Sequence, residues 1–247
     1  MSAAQSLTIV IPVFNEQQNI IPLFNELRAT LDPLGREWEA LFVDDGSTDA
    51  SLDVIKRLAQ DYPCISYLAF AGNQGQSAAF AAGFQAATGE LIVTIDADLQ
   101  NDPADIPAML ERYDQGYDMV IGWRGERQDS EAKRRASRWA NAIRNRFTSE
   151  DVIDTGCSLK IMRASLARRL PMFTGMHRFL PTLMKLEGAK VAQMRVNHRP
   201  RLHGESKYKA FGRAKTAFFD LLAVMWMQRR HIDYALKDSK RGRAGDA

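Results

Sequence analysis

A chain of 247 residues with 45% hydrophobic and 26% charged side chains has the composition of a soluble globular protein, and it is long enough to bury a substantial core. A net charge of +3 is too mild to argue for a nucleic-acid partner, and no run approaches the roughly 20 apolar residues needed to span a bilayer. Met1 to Ser6 lacks the basic-then-apolar layout of a secretion signal. Cys64 and Cys157, far apart and without metal-like spacing, point to a reduced, cytosolic chain with two small buried side chains.

The first 122 residues alternate regularly. Leu7 to Pro12 reads as a strand, followed by a helix from about Glu16 with Ile20, Leu23, Phe24, Leu27 and Leu31 on one face. Trp38 to Val43 is the second strand, after which Thr48 or Asp49 can cap a helix carrying Leu52, Ile55 and Leu58. Ile65 to Phe70 is the third strand. A small-residue helix, Gln76 to Ala87, has Gly89 as its stop. Leu91 to Ile95 reads as a buried strand, then come a helix near Asp105 to Tyr113 and a strand from Met119 to Gly122. This rhythm predicts an α/β fold with right-handed crossovers and a mainly parallel sheet.

After Gly122 the rhythm breaks. A charged loop leads to a helix around Arg135 to Phe147, then a short apolar piece, Cys157 to Met162, and a helix near Arg178 to Leu186. Val191 to His198 reads as a strand and Tyr208 to Met227 as a long helix. No repeat or low-complexity linker divides the chain. The expectation is one domain over 1–228, with a nucleotide half to about 122, an acceptor half after it, and a disordered basic tail over 229–247. Arg124 to Arg146 carries seven Arg and one Lys against three acids. Such a run is either a solvated helix face or a site for a phosphorylated or membrane-bound anion. Ala217 to Met227, interrupted by Asp220, can pack on the core or lie in a membrane interface, but is too short to cross.

The chemistry concentrates at Asp96-Ala97-Asp98-Leu99-Gln100, directly after an apolar run. In an open α/β sheet the carboxyl ends of strands are where ligands bind. Two carboxylates and a Gln carbonyl are hard oxygen donors suited to Mg²⁺ or Mn²⁺, with positions left open for substrate phosphates. Taken alone, an Asp-x-Asp is better explained by a solvated turn ending a strand. The first strand, however, runs into Pro12-Val13-Phe14-Asn15-Glu16 and the second into Val43-Asp44-Asp45-Gly46-Ser47. Each has a plain reading as a turn or a cap; together they describe one crevice, in which an acidic side chain can accept hydrogen bonds from a base. There is no Gly-x-x-x-x-Gly-Lys-Ser/Thr loop and no Gly-x-Gly-x-x-Gly after the first strand, which removes P-loop NTPases and dinucleotide enzymes.

With these residues in hand, the chain resembles the family 2 nucleotide-sugar glycosyltransferases of GT-A fold. Within them it resembles the polyprenyl-phosphate sugar transferases, a group that includes dolichyl-phosphate mannose synthase. It also resembles the bacterial undecaprenyl-phosphate 4-deoxy-4-formamido-L-arabinose transferases of this group. The likeness runs from about Leu7 to Lys209. It rests on Asn73-Gln74-Gly75-Gln76, Asp96 to Asn101 with Pro103, Arg127-Gln128-Asp129-Ser130, Gly156-Cys157 and Gly204-Glu205-Ser206-Lys207-Tyr208.

The resemblance implies that Pro12, Phe14, Glu16, Val43 and Asp45 line the nucleotide pocket; many relatives carry Tyr at the position of Phe14. It implies that Asp96, Ala97 and Asp98 meet the diphosphate and metal, with Gln100 as a further metal ligand. Arg124, Arg201 and Lys207 would bind phosphate, and Arg138 is a weaker candidate for the lipid phosphate. The acceptor nucleophile would be a phosphate monoester oxygen, which already carries charge near neutral pH and needs no strong general base. That suits a sequence whose four His (His177, His198, His203, His231) read as loop or surface residues. Direct displacement would invert the anomeric carbon, for cell-envelope or lipid A glycan modification. The segment Arg199 to Tyr208 reads either as a mobile loop over the diphosphate or as an exposed basic loop.

Relatives often carry two C-terminal transmembrane helices, and this sequence ends without them. It is therefore expected to sit peripherally on the cytoplasmic face of the inner membrane or to dock on an integral membrane subunit; a non-lipid acceptor is the third possibility. Two competing readings are a soluble transferase acting on a hydroxyl acceptor in polysaccharide synthesis, which would need a base not evident here, and a non-catalytic binding module. Neither the sugar nor the base can be read: Asp45 can pair with uracil or guanine.

Overall fold

The computed structural model describes residues 5–125, 152–201 and 213–232 of the chain. Its centre is a seven-stranded sheet of β1 (Leu7–Val13), β2 (Trp38–Asp44), β3 (Ile65–Ala69), β4 (Leu91–Thr94), β5 (Met119–Arg124), β6 (Lys160–Arg163) and β7 (Val191–Val196), in the order β3-β2-β1-β4-β6-β5-β7. All pairings are parallel except those of β6, which runs antiparallel to both β4 and β5. β1 reads Leu-Thr-Ile-Val-Ile-Pro-Val and is buried along nearly all its length, as expected of an inner parallel strand covered on both faces.

Helices cover both faces. One layer holds α1 (Ile20–Leu31), α2 (Ser51–Asp61) and α4 (Ile106–Tyr113). Their apolar stripes meet Ile9 and Ile11 of β1 and Val93 of β4. The other holds α3 (Gln76–Ala86), α5 (Ala164–Ala167), α6 (Leu180–Leu186) and α7 (Arg213–Arg230), packed on Val10, Leu41, Ile92 and Met162. Successive strand residues thus feed two separate cores, the period-two consequence of a pleated sheet.

Several expectations need correction. The first helix begins at Ile20 rather than about Glu16. Asn15 takes φ 55°, and the Glu16 N–H donates to Ser51 Oγ at 2.8 Å, so the chain after β1 is tied sideways to the next loop before it can wind. Gly89 does not stop α3, which ends at Ala86 with Ala87 extended. Gly89 is small because it crosses β1: a Cβ there would lie 2.7 Å from the Thr8 nitrogen. Asp49 caps in effect, accepting from Ser51 N at 2.9 Å, although Ala50 holds the cap position. The apolar piece expected at Cys157 to Met162 yields β6 from Lys160, which enters the sheet reversed between β4 and β5. Cys157 is buried and Cys64 half-buried; both are free. The expected helix at Arg135 to Phe147, the start of the Tyr208 helix and the tail beyond 232 lie outside the described residues.

Candidate active site

β1, β2, β4, β5 and β7 all present their carboxyl ends at one edge, and reversed β6 brings its amino end to the same edge. Segments 14–16, 45–47, 96–101, 154–160 and 197–201 therefore converge, although they are spread over most of the chain.

The first two loops are knotted together by polar contacts. Asn15 Oδ1 accepts from the backbone of Thr48 (2.7 Å) and Asp49 (3.3 Å), and the Asn15 N–H donates to Ser47 Oγ. Gly46 adopts φ 69° with the Gly72 backbone against it; a Cβ would lie 2.5 Å from the Gly72 carbonyl carbon. Asp45, expected to face a base, is buried. It accepts from Asn73 Nδ2 (3.0 Å), Gln74 N (2.6 Å) and Gly75 N (2.9 Å), and so fixes the loop that starts α3. Asp44 is buried beside it and receives the Ser47 N–H at 3.1 Å. Pro12, Phe14 and Glu16 are partly exposed at the crevice. Val43 is not: its side chain is fully buried against α3, and Ala97 is likewise in the core, so each can offer a ligand only backbone.

The Asp-x-Asp turn follows β4 directly. Asp96 Oδ1 accepts from Gln76 Nε2 at 2.7 Å, and the Asp96 N–H donates to Ser158 Oγ at 3.2 Å. Burial first, and the adjacent Asp98 charge second, push the Asp96 carboxyl up to about 6. Asp98 is buried; Oδ1 accepts from Gln100 N at 3.1 Å and Oδ2 from Arg201 Nη2 at 2.5 Å. Leu99 is held at φ 60°, a left-handed conformation costing a branched residue roughly 1 kcal/mol. Burial of its side chain keeps it there. The Gln100 carboxamide donates to Arg199 O at 3.5 Å.

Arg124, at the end of β5, is a half-occupied cation. Its Nε and Nη2 lie 2.7 and 2.9 Å from the two oxygens of Asp154, a bidentate pair. Burial works against its charge, but the Asp154 hydrogen bonds and charge outweigh that and leave its pKa above the ordinary value. Behind the turn, Lys160 is buried on β6, donates to Cys157 O, and has its pKa pulled down by burial. Asn101 and Ser158 close the back, with Ser158 Oγ donating to Asn101 Oδ1 at 2.6 Å. Asp154, Ser158 and Lys160 were not singled out from the sequence. The available signal was a lysine inside an apolar run, Leu159-Lys160-Ile161-Met162, which a buried strand tolerates only with a partner nearby. His177 is more than a surface residue: its Nδ1 lies 2.8 Å from buried Ser77 Oγ at the start of α3.

The crevice thus unites Glu16, Asp96, Asp98, Gln100, Arg124 and Arg201, while Arg138 and Lys207 lie outside the described residues. Among the described residues no three His, Cys, Asp or Glu side chains gather into a closed ligand set. Two carboxylates and a carboxamide instead suit a hard divalent cation whose other positions are filled by phosphate oxygens. A guanidinium already seated on Asp98 shows that the site takes a cation.

The glycosyl transferase family 2 sequence profile matches residues 8–171. The chain belongs to that family. This transferase is 39% identical over 228 residues to dodecaprenyl-phosphate galacturonate synthase of Rhizobium johnstonii, covering 90% of this chain and 67% of the relative. It is 38% identical over 205 residues to undecaprenyl-phosphate 4-deoxy-4-formamido-L-arabinose transferase of Edwardsiella ictaluri, covering 83% and 63%. With the enzyme of the same name from Pseudomonas aeruginosa it shares 39% over 220 residues, covering 89% and 65%. The chain therefore spans about two thirds of the length of the curated relatives it matches. Its fold is similar to that of glucosyl-3-phosphoglycerate synthase from Mycobacterium tuberculosis, determined with Mn²⁺, UDP and phosphoglyceric acid. There the TM-score is 0.69 at 16% identity, covering 94% of this chain and 81% of that one. The GT-A architecture expected from the sequence is thereby borne out.

Proposed function

We propose that this glycosyltransferase moves a sugar from a nucleotide donor to the phosphate of a polyprenyl carrier, inverting the anomeric carbon, at the cytoplasmic face of a membrane. The observation that carries the reading is the Asp98–Arg201 juxtaposition at the carboxyl edge of the sheet, acid and base side by side where a diphosphate must be held. It stands in a chain 35–39% identical to relatives named for polyprenyl-phosphate glycosylation.

Asp96 and Asp98, with Gln100, would hold Mg²⁺ or Mn²⁺; when bound, such an ion neutralises the leaving diphosphate. Pro12, Phe14, Glu16 and the loop buckled by Asp45 would seat the nucleotide. Arg201 and Lys207 would hold phosphate oxygens, and Arg124 and Arg138 would favour the incoming anion. The acceptor phosphate oxygen forms the new bond to the anomeric carbon as the bond to the donor diphosphate breaks. No proton has to be removed, so the chain's residues need only position two anions in line.

The acceptor end fits a lipid surface. α7 buries Leu221 and Val224 but leaves Phe218, Phe219, Leu222 and Trp226 at 58, 57, 43 and 65% exposure, with Arg229 and Arg230 in its last turn. An apolar face ending in arginines suits the interface of an anionic bilayer. No helix among the described residues is long and apolar enough to cross a membrane.

The test is incubation of the purified chain with short-chain polyprenyl phosphate and a panel of UDP- and GDP-sugars. One donor should be consumed only when lipid phosphate is supplied. Equal consumption with a saccharide acceptor and no lipid would overturn the reading.

A further inference from the structure

The Asp98 carboxylate is not waiting open for a metal. Arg201 Nη2 sits 2.5 Å from its Oδ2, and Arg201 Nη1 lies 3.6 Å from Glu16 Oε1. The Arg201, Asp98 and Glu16 side chains are 27, 11 and 10% exposed, so their contacts are screened only partly by water. Nor is the position of Arg201 a loose surface rotamer. The preceding segment is bound along the Asp98 turn: the Arg199 N–H donates to Gln100 O at 2.8 Å, and Asn101 and His198 form a β-bridge. Arg199 is itself anchored on Glu26 and Asp102 at 2.8 and 2.6 Å. The fold delivers a cation onto the oxygen that a divalent ion would need, and two cations cannot both make contact with that oxygen without strong repulsion.

We propose that Arg201 is a built-in counter-cation that a divalent ion must displace from Asp98, and that the donor diphosphate receives the displaced guanidinium. This rests on the reading of Asp98 as a metal ligand. Metal alone must break a charge-assisted hydrogen bond and leave Arg201, among the described residues, with Glu16. Metal arriving with a diphosphate offers the planar guanidinium a pair of phosphate oxygens in exchange. Metal and nucleotide therefore bind cooperatively, and by linkage each strengthens the other by the same factor. The exchange also keeps the acidic crevice less negative between turnovers.

The test is Mn²⁺ binding to the full chain, followed by the electron paramagnetic resonance signal of free Mn²⁺, without nucleotide and with UDP or GDP. Wild type, Arg201→Ala, Arg201→Gln and Asp98→Ala are compared, with thermal unfolding as the check on folding. Both Arg201 variants should bind Mn²⁺ alone about ten- to a hundredfold more tightly than wild type. The strengthening of Mn²⁺ binding by nucleotide should shrink below that of wild type, leaving only the part due to direct contact between the ion and the diphosphate. If Asp98→Ala loses Mn²⁺ while the Arg201 variants bind it no more tightly than wild type, the ion pair is merely structural and the inference fails alone. If Asp98→Ala binds Mn²⁺ as well as wild type, or no form binds it, the metal reading falls and takes the inference with it.

Discussion

In the half of the sheet built from β1, β2 and β4, the acidic groups at the binding edge follow closely on the strands that present them. In the half built from β5, β6 and β7 the edge is assembled from Arg124 at the end of β5, the amino end of a reversed strand and residues 197–201, which continue β7 and fold back along the Asp98 turn. The first half supplies Glu16, Asp96 and Asp98; the second supplies Arg201, Lys160 and Ser158, which make those carboxylates tolerable, and a further acid, Asp154, with its own partner Arg124. Acidic chemistry is thus local in the chain, and its electrostatic compensation is long-range.

Four experiments break or sharpen this contrast. The largest effect is expected in the first half. Asp98→Ala should lower metal-dependent transfer by on the order of a thousandfold while the protein still unfolds cooperatively. Turnover persisting without Mg²⁺ would remove the metal role. In the second half, Asp154→Ala strands a largely buried Arg124 and should cost about 3 kcal/mol in denaturant unfolding. The double change Arg124→Met with Asp154→Leu should recover part of that, because it removes the charge along with its partner but leaves the Arg124 and Gly156 N–H groups without their acceptor.

A smaller change of opposite sign is expected at Asp96. Its folded-state carboxyl titrates near 6 against an ordinary 3.8, so the folded chain binds the proton more tightly than the unfolded one. The contribution of Asp96 to the stability of the metal-free protein is therefore greatest below about pH 4 and falls as pH rises from about 4 to about 6. Asp96→Asn should abolish that fall and raise stability at pH 7 by about 2–3 kcal/mol, measured without metal, while impairing transfer. A difference in stability between wild type and Asp96→Asn that does not change between about pH 4 and about pH 6 would contradict this. The smallest effect on folding is expected from Phe218→Ser combined with Trp226→Ser. Unfolding should shift by no more than about 0.5 kcal/mol, since both rings are exposed. Sedimentation with anionic vesicles should nonetheless drop sharply. Unchanged vesicle binding would move membrane attachment elsewhere in the chain.

The amino-acid sequence by itself determined the alternating α/β architecture, the apolar stripes of α1 and α4, and the placement of Asp96 and Asp98 at a strand's end. These depend on period and on near neighbours, which a linear chain displays. The burial of Val43 and Ala97 was less legible, because the direction of a side chain at a strand end depends on which face the next helix covers. Tertiary structure alone decided that β6 enters the sheet reversed, that Asp45 buckles the loop at Gly75 and that Asp154 takes Arg124. It also decided that Arg201, 103 residues further along the chain, neutralises Asp98. Charge pairing acts through space at a few ångströms, and no local pattern announces which distant acid a given arginine will meet.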